Sequence, residues 1–284
     1  MTASEKCIAC GHITDAREYG ALIIQTCQTC GQQRSQQTPR INNQTEQNII
    51  SDQRLKASLQ PFRRRAYEDI LFATKSNITH LDVGCSTGQL LVMSRAVGNK
   101  TIGVEPETLF AEEAKSHGLD IFESISKIPS SHRTQIDLIT FMDVLGHIPN
   151  AREALIKSKE FLSDDGCLLI KTPIADGFFF KLAKFLCLAR LNVFWHRIWQ
   201  TQFSSPQIHY FTAKSLIAIA DGLQMDITLK KLPAIQLEGL FERIRPSFPT
   251  SRWGHLGTYI LLLVCYPVFT LLPKDSAIAH LKRK

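Results

Sequence analysis

A glycine-containing turn stands between an apolar run and a helix-like segment in the first half of the chain. Residues 78–83 are mainly apolar and predict a buried strand, while residues 88–97 have the pattern of a helix. Gly84 and Gly88 can adopt backbone angles closed to other residues and allow a ligand to approach the main chain. Free N–H groups and the positive dipole end of the following helix suit a carboxylate or a phosphate. The turn therefore predicts a strand–turn–helix unit that binds an anionic group.

Strands and helices alternate beyond this unit. Further strands are predicted at 101–104, 120–122, 136–142 and 166–172, and further helices at 58–76, 108–116 and 151–162. Such alternation is typical of βαβ units, which build a doubly wound, mostly parallel sheet. Right-handed crossovers place ligand sites at the carboxyl ends of the strands. The predicted fold class is therefore α/β, with the glycine turn at the ligand-binding edge.

An acidic residue ends the second strand of this pattern. Glu105 lies 17 residues after Gly88, where a carboxylate can accept hydrogen bonds from ribose hydroxyls. The turn is G-x-S-x-G rather than G-x-G-x-x-G, which argues against a dinucleotide. The same letters match a hydrolase nucleophile elbow at Ser86, but the turn follows the first strand and no later Asp…His order stands out. A turn without a ligand is the remaining alternative, disfavoured by the combination of strand, turn, helix and terminal Glu.

Three motifs resemble those of class I S-adenosylmethionine (SAM)-dependent methyltransferases, over about residues 60–230. Leu-Asp-Val-Gly-Cys-Ser-Thr-Gly at 81–88 resembles their first motif, and Val-Glu-Pro at 104–106 looks like their second. Residues 141–149 are similar to a post-strand motif of the subgroup that includes quinone-biosynthesis O-methyltransferases and many sugar and antibiotic methyltransferases. The resemblance implies a Rossmann-like methyltransferase domain with a seven-stranded sheet.

The resemblance also implies which residues bind SAM. They lie at three strand ends and are Asp82, Gly84, Ser86, Gly88, Glu105, Met142 and Asp143. The aspartate and glycines of the turn would hold the methionine part, Glu105 the ribose, and Met142 would lie near the adenine or methionine part. Gly146 stands where the family usually has a Glu that, with the following His, is associated with a divalent metal in the quinone enzymes. This departure argues against a metal held by Asp143 and His147.

Four cysteines near the N-terminus have the spacing of a zinc site. Cys7 and Cys10 form one C-x2-C pair, Cys27 and Cys30 form a second, and sixteen residues lie between the two pairs. Two such knuckles can complete a tetrahedral Zn²⁺ site of four thiolates, which leaves no open position and is therefore structural. Two redox pairs or two disulfides are the alternatives. The arrangement looks like the short ribbons that precede some bacterial sugar methyltransferases and some ribosomal RNA methyltransferases.

Two histidines are candidate general bases. His147 lies in the third motif, and His209 precedes a predicted helix at 213–221 for which Thr212 is a natural N-cap. Imidazole titrates near neutrality, so either side chain could take a proton from a hydroxyl or an acidic carbon of the acceptor. The alternative is that each orients a loop or caps a strand, because positioning can suffice for in-line transfer from a sulfonium.

The chain divides by composition into three parts. They are a zinc ribbon at 1–34, a polar Gln/Asn-rich linker at 35–52 and a methyltransferase domain at 53–284, with insertions at about 177–204 and 232–273. The first insertion is rich in Phe and Trp, but its cations do not share one helical face. Its sequence is therefore as compatible with a lid of broken helices as with membrane contact. In the second, residues 256–272 form an apolar run of about 17 residues, at the lower limit for a membrane span. A helix in the membrane interface or in the core is predicted there, before a last strand at 275–282.

Charge and cysteine use restrict the function less than the motifs do. The net charge of +7 is scattered and favours an anionic partner without choosing one. The lack of an apolar leader at 1–12 and the unpaired cysteines predict a cytoplasmic protein, with possible peripheral contact at the inner face of a membrane. The leading hypothesis is methyl transfer to a sugar, lipid or quinone-like small molecule. The alternatives are an RNA methyltransferase that contacts RNA through its ribbon, although nucleic-acid methylation motifs are missing, and an inactive scaffold that binds SAM.

Overall fold

The computed structural model describes residues 5–43, 67–68, 76–233, 240–241 and 252–284. Its strands are β1 (Thr14–Tyr19), β2 (Leu22–Cys27), β3 (Gln33–Ser35), β4 (Thr79–Val83), β5 (Lys100–Val104), β6 (Asp120–Phe122), β7 (Ile136–Met142), β8 (Leu162–Pro173), β9 (His209–Tyr210), β10 (Met225–Leu232) and β11 (Ser276–Arg283). Its labelled helices are α1 (Gln89–Ala96), α2 (Thr108–Ser116), α3 (Ala151–Phe161), α4 (Phe178–Leu188), α5 (Val193–Ile198), α6 (Ala213–Gly222) and α7 (Arg252–Leu271). The helix predicted at 58–76 lies almost entirely outside the described residues. Of this segment the structure describes 67–68 and 76, and Tyr67 and Glu68 are helical.

A seven-stranded sheet forms the centre of the molecule, in the order β10-β11-β8-β7-β4-β5-β6. Strands β4 to β8 are mutually parallel, whereas β11 runs antiparallel to both of its neighbours. This confirms the predicted doubly wound, mostly parallel α/β fold. The carboxyl ends of β4, β5 and β7 consequently lie together at one edge of the sheet, where the glycine turn begins.

The central strands are buried on both faces. In β7, the side chains of Ile136, Leu138, Ile139 and Phe141 are all buried, as an apolar run in a covered parallel strand requires. Strands β6 and β7 and helix α2 have the bounds that the sequence predicts. Thr212 caps α6 in a reciprocal capping box with Ser215, which confirms the predicted N-cap.

A second, smaller sheet joins the cysteine segment to the catalytic part of the chain. Its order is β1-β2-β3-β9, and β3 pairs antiparallel with β9 through Gln33 opposite Tyr210. Strand β9 lies immediately before α6, and Phe211 bridges to Ile174 at the end of β8. The ribbon is therefore anchored by main-chain hydrogen bonds close to the carboxyl edge of the main sheet.

A second hydrophobic core lies between the ribbon and the first insertion. Tyr19 and Ile24 of the ribbon pack with Phe180 of α4, Trp195 of α5 and Trp199 just after α5. The ring centroids of Tyr19 and Trp195 are 5.3 Å apart, and those of Phe180 and Trp195 are 5.5 Å apart. Three aromatic residues of the insertion thus share a core with the ribbon.

The described part of the predicted linker, residues 36–43, runs over the surface of both units. Gln37 Nε2 donates to the carbonyl oxygen of Trp199 at 3.1 Å. Asn42 Nδ2 donates to the carbonyl oxygen of Pro106 at 3.0 Å, beyond the end of β5. These bonds place the chain that leaves the ribbon beside the carboxyl edge of the main sheet.

Helix α7 is largely exposed, apart from the buried His255 and a half-buried stripe at 258–259, 262, 265–266 and 269. Of the segment Trp253–Leu271, 6% is buried, so the alternative that this apolar helix fills the core is wrong. By length and composition it is the one helix in the described residues that could cross a membrane. The last strand predicted at 275–282 is confirmed by β11, whose first residue, Ser276, pairs with Leu232 of β10. Both ends of the second insertion therefore return to the same edge of the sheet.

Candidate active site

The turn after β4 has the backbone that its glycines predict. Gly84 and Gly88 have φ of +76° and +78°, and Ser86 between them has φ of +52°. A Cβ atom at Gly84 would overlap the side chain of Val144, and one at Gly88 would overlap Leu119. Both positions therefore require glycine for the conformation and for packing. Helix α1 begins directly after Gly88, with its N-terminus at the sheet edge.

Glu105 is fixed by main-chain donors on both carboxylate oxygens. Ser86 N donates to Oε2 at 2.8 Å, and Glu107 N donates to Oε1 at 2.9 Å. The side chain is buried at the end of β5. This ties the acidic residue directly to the glycine turn and places a rigid acceptor where the sequence predicts the ribose.

Asp82 ends a buried polar chain that the sequence does not reveal. Thr140 Oγ1 donates to Asp82 Oδ1 at 2.6 Å, and His80 Nε2 lies 2.9 Å from Thr140 Oγ1. On the far side, Ser94 Oγ lies 2.9 Å from His80 Nδ1, and Asn99 Nδ2 donates to Ser94 Oγ at 3.1 Å. All five residues are buried. Since Thr140 donates to the carboxylate, it accepts from His80 Nε2, and every donor in the chain points towards Asp82.

Burial sets the protonation states of His80 and Asp82 in this buried polar chain. It lowers the pKa of His80 to about 3, so the ring is neutral. Burial also raises the pKa of Asp82 to about 7; the nearby charge of Glu105 adds to the rise, and the Thr140 hydrogen bond opposes it. The Asp82 carboxyl group therefore titrates near neutral pH, beside the predicted SAM site.

The residues after β7 are held by an ion pair with the neighbouring strand β8. Asp143 has φ of +56°, and its Oδ2 forms an ion pair with Lys171 Nζ at 2.7 Å. Met142 is half-buried at the end of the strand. The positive charge of Lys171 therefore balances the negative charge of the Asp143 carboxylate within the protein.

Gly146 makes room for the segment 206–209. A Cβ atom at Gly146 would overlap the buried Gln207 side chain and lie 2.8 Å from His209 O. Gln207 Nε2 donates to that same oxygen at 2.8 Å, and Ile208 N donates to Gly146 O at 2.8 Å. Packing thus accounts for the glycine at this position.

The two predicted bases lie in different surroundings. His147 is half-buried, and its Nδ1 lies 2.9 Å from the carbonyl oxygen of Pro206, to which it donates. His209 is completely buried, with Nε2 3.0 Å from Pro149 O and Nδ1 3.1 Å from Gln32 Nε2. Burial lowers the pKa of His209 to about 4. Both nitrogens of His209 are therefore engaged by the protein, one of them by the ribbon.

The four cysteines form one compact cluster. All four Sγ atoms lie within 4.8 Å of one another, with Cys7–Cys30 and Cys10–Cys27 each at 3.5 Å. These separations exclude disulfides and are close to the roughly 3.8 Å expected between sulfurs of a tetrahedral Zn²⁺ site with 2.3 Å bonds. Gly11 and Gly31, which follow the second cysteine of each pair, have φ of +78° and +76°. The donor set fits Zn²⁺, which would crosslink the two knuckles.

Comparison with known proteins agrees with this geometry. Residues 54–228, more than half of the chain, match a family described as a methyltransferase domain. The chain matches no curated protein. Its fold is similar to a SAM-dependent methyltransferase of Thermotoga maritima described as a possible histamine N-methyltransferase, at 11% identity and a TM-score of 0.55, covering 83% of this chain and 96% of that one.

Two further solved structures share the fold. A SAM-dependent methyltransferase of Archaeoglobus fulgidus is 16% identical with a TM-score of 0.55, over 82% of this chain and 99% of that one. Geranyl diphosphate C-methyltransferase of Streptomyces coelicolor is 11% identical with a TM-score of 0.54, over 82% of this chain and 84% of that one. With the family match, the strand order and the glycine turn in agreement, the protein belongs to the class I SAM-dependent methyltransferases.

Proposed function

We propose that the protein transfers a methyl group from SAM to a lipid-like acceptor that it meets at a membrane surface. The observation that carries the choice of acceptor is a broad exposed apolar surface beside the carboxyl edge of the main sheet. In this proposal SAM supplies a methyl group on a sulfonium, which an acceptor atom attacks in line while the sulfur leaves with the electron pair.

The residues at the sheet edge would hold SAM in the manner that the sequence predicts. Gly84 and Gly88 allow the methionine part to approach the main chain, and Glu105 offers its fixed carboxylate to the ribose. Asp82, when ionised, attracts the positive charges of the ligand. Ser86, Met142 and Asp143 complete the wall from the turn and the end of β7.

Of the two histidines, His147 is our candidate for the general base. Its ring is half-buried rather than completely buried, and it is oriented by the bond from Nδ1 to Pro206 O. We assign His209 a positioning role instead, because Pro149 O and Gln32 Nε2 occupy both of its nitrogens.

Helix α7 provides the larger part of the apolar surface. It has 20 residues, which span about 30 Å at 1.5 Å per residue. Exposed side chains occur along its whole length, such as Trp253 at 84%, Val264 at 72% and Leu271 at 87%. Exposure of this extent on a single helix is typical of a membrane- or protein-binding surface.

Helix α4 extends the same surface. Its residues Phe179, Leu182, Phe185 and Leu188 recur every three positions and are all exposed. The Phe179 ring stacks on Phe269 of α7 with centroids 6.1 Å apart. The two helices therefore present their apolar side chains together.

The position of these helices connects the surface with the cofactor site. Strand β8 is parallel to β7 and leads into α4, so α4 begins at the carboxyl edge of the sheet. Strand β11 is antiparallel and pairs Ser276 with Pro173, so α7 also ends at this edge. A bilayer that covers α4 and α7 would thus lie beside the SAM site.

An interfacial position fits α7 better than a span. Because Leu232 and Ser276 are paired, both ends of the excursion lie on one side of the membrane. A spanning α7 would require residues 233–251, which include two Glu and two Arg, to cross as well. Each such charge costs about 2.5–3.5 kcal/mol at the bilayer centre. Exposed Lys181 and half-buried Lys274 flank the apolar side chains and favour anionic headgroups.

Vesicle sedimentation tests the membrane part of the proposal. The protein is expected to sediment with phosphatidylglycerol vesicles and more weakly with phosphatidylcholine vesicles. Phe185→Asp and Val264→Asp should each lower the bound fraction by about tenfold or more, because a buried apolar side chain contributes roughly 1.5–3 kcal/mol. Ile156→Asp, at an exposed position of α3, is the matched control and should bind like the wild type.

Transfer of labelled methyl from SAM to cell fractions tests the acceptor. Label in the lipid fraction supports the proposal, whereas label confined to RNA or glycan overturns it. The membrane proposal fails if the wild type remains in the supernatant with both vesicles, or if all three aspartate variants bind alike.

A further inference from the structure

The second cysteine knuckle is connected to the loop after β7 through the buried side chain of His209. This knuckle comprises Cys27–Gln32, and we call residues 144–149 the β7 loop. Within the knuckle, Gly31 N donates to Cys27 O at 2.8 Å and Cys27 N donates to Gln32 O at 2.9 Å. The fold of the knuckle thereby fixes the main chain of Gln32.

The Gln32 side chain reaches from the knuckle to His209. Its Nε2 lies 3.1 Å from His209 Nδ1, and both residues are buried. A neutral imidazole whose Nδ1 accepts this bond has its proton on Nε2. His209 Nε2 can then donate to Pro149 O, 3.0 Å away at the end of the β7 loop. Gln32 thus selects the tautomer that holds the loop.

Further contacts attach the same knuckle to the catalytic part. Thr212 Oγ1 donates to Cys30 O at 2.5 Å, and β3 pairs with β9, which contains His209. The Cys7 thiol also donates to Gln32 Oε1 at 3.2 Å. A metal-bound thiolate cannot make that last bond. The main-chain bonds of the knuckle and the Gln32–His209 bond do not depend on the bond between Cys7 and Gln32.

We infer that Gln32 and His209 are positioning residues through which the zinc ribbon sets the shape of the β7 loop. Metal loading of the cysteine cluster then orders the loop, although no cysteine contacts it. The β7 loop carries His147, the candidate base, so the effect extends to the acceptor side of the site.

Hydrogen exchange of the full-length protein, with Zn²⁺ bound and after chelation, tests this coupling. Removal of Zn²⁺ is expected to raise exchange in 144–149 and 206–210 by roughly tenfold, the effect of losing a buried hydrogen bond, and to leave α2 unchanged. Gln32→Ala should produce the same rise with Zn²⁺ still bound. Gln28→Ala is the matched control, because Gln28 lies in the same knuckle but donates to the exposed Asp15 of β1.

Two His209 variants separate positioning from proton transfer. His209→Gln keeps a donor for Pro149 O and an acceptor for Gln32, so its loop should exchange at nearly the wild-type rate, whereas His209→Ala should resemble Gln32→Ala. The inference is overturned if chelation leaves exchange of 144–149 unchanged, if Gln32→Ala behaves like Gln28→Ala, or if His209→Gln is as disordered as His209→Ala.

Discussion

Removal of one hydroxyl group tests the buried polar chain that ends at Asp82. Thr140→Val conserves the shape of a completely buried side chain on β7. It deletes both the donor to Asp82 Oδ1 at 2.6 Å and the acceptor 2.9 Å from His80 Nε2. The two buried groups, on Asp82 and His80, each lose a partner at once.

The expected loss of stability follows from these two contacts. A buried group that loses its partner costs about 1–3 kcal/mol, so the loss of partners for two such groups should lower the free energy of unfolding by about 2–6 kcal/mol. At about 2–4 °C per kcal/mol for a chain of this size, the melting temperature should fall by roughly 4–24 °C. Loss of the Thr140 bond also raises the pKa of Asp82 further, because that bond holds it down. Binding of SAM at pH 7 should weaken accordingly.

Thermal unfolding and isothermal titration with SAM measure the two effects. Thr172→Val is the matched control, since Thr172 is equally buried on the neighbouring β8 but makes a single 3.3 Å bond to Pro173 O. If Thr140→Val unfolds at the same temperature as Thr172→Val and binds SAM like the wild type, the polar chain contributes neither stability nor charge control.

Three other perturbations have expected outcomes of definite sign. Glu105→Gln should weaken SAM binding by about tenfold or more in calorimetry, the effect of a lost charged hydrogen bond, while Glu107→Gln, at a half-buried position, should not. SAM affinity should rise from pH 6 to 8 as Asp82, with a pKa of about 7, becomes anionic, and Asp82→Asn should abolish this pH dependence. Because the pKa of Asp82 is raised in the folded protein, its contribution to stability is present below about pH 4 and is lost as the pH rises through 7. Gly146→Ala should lower the melting temperature by overpacking against His209 O, at a cost of about 1–3 kcal/mol, whereas Gly257→Ala on exposed α7 should not lower it.

The fold could be predicted largely because its signals are local. The apolar run 136–142 and the helix 108–116 have the predicted bounds, since periodicity and end signals lie within each segment. Strand β8 begins four residues before its predicted start at Gly166, because pairing of Leu162 with Ile136 extends it through a polar stretch. Such pairing is a property of the neighbouring strand and leaves no mark on the segment itself.

The candidate site divides in the same way. The glycine turn and Glu105 were found because each is a short motif with its own backbone requirement. The contact between Thr140 and His80 depends on the register of β4 and β7, and the contact between Gln32 and His209 joins residues 177 positions apart. A single sequence does not contain that register or that packing. The one available signal is a titratable residue, His80, inside a segment whose pattern predicts a buried strand.

Packing also explains why the ribbon and the first insertion depend on each other. Strand β9 has two residues and would be a weak element alone, but it forms the edge to which β3 pairs. Trp195 and Trp199 are completely buried, and Tyr19 and Ile24 of the ribbon supply part of their cover. Without those ribbon side chains the aromatic face of the insertion would be exposed, and without the insertion the three-stranded ribbon would have no core beyond its metal site. Helix α4 thus has an inner face, with Phe180, that packs against the ribbon and an exposed outer face, with Phe185, that we propose for the membrane. A bilayer bound there would have a fixed orientation relative to the cysteine knuckles.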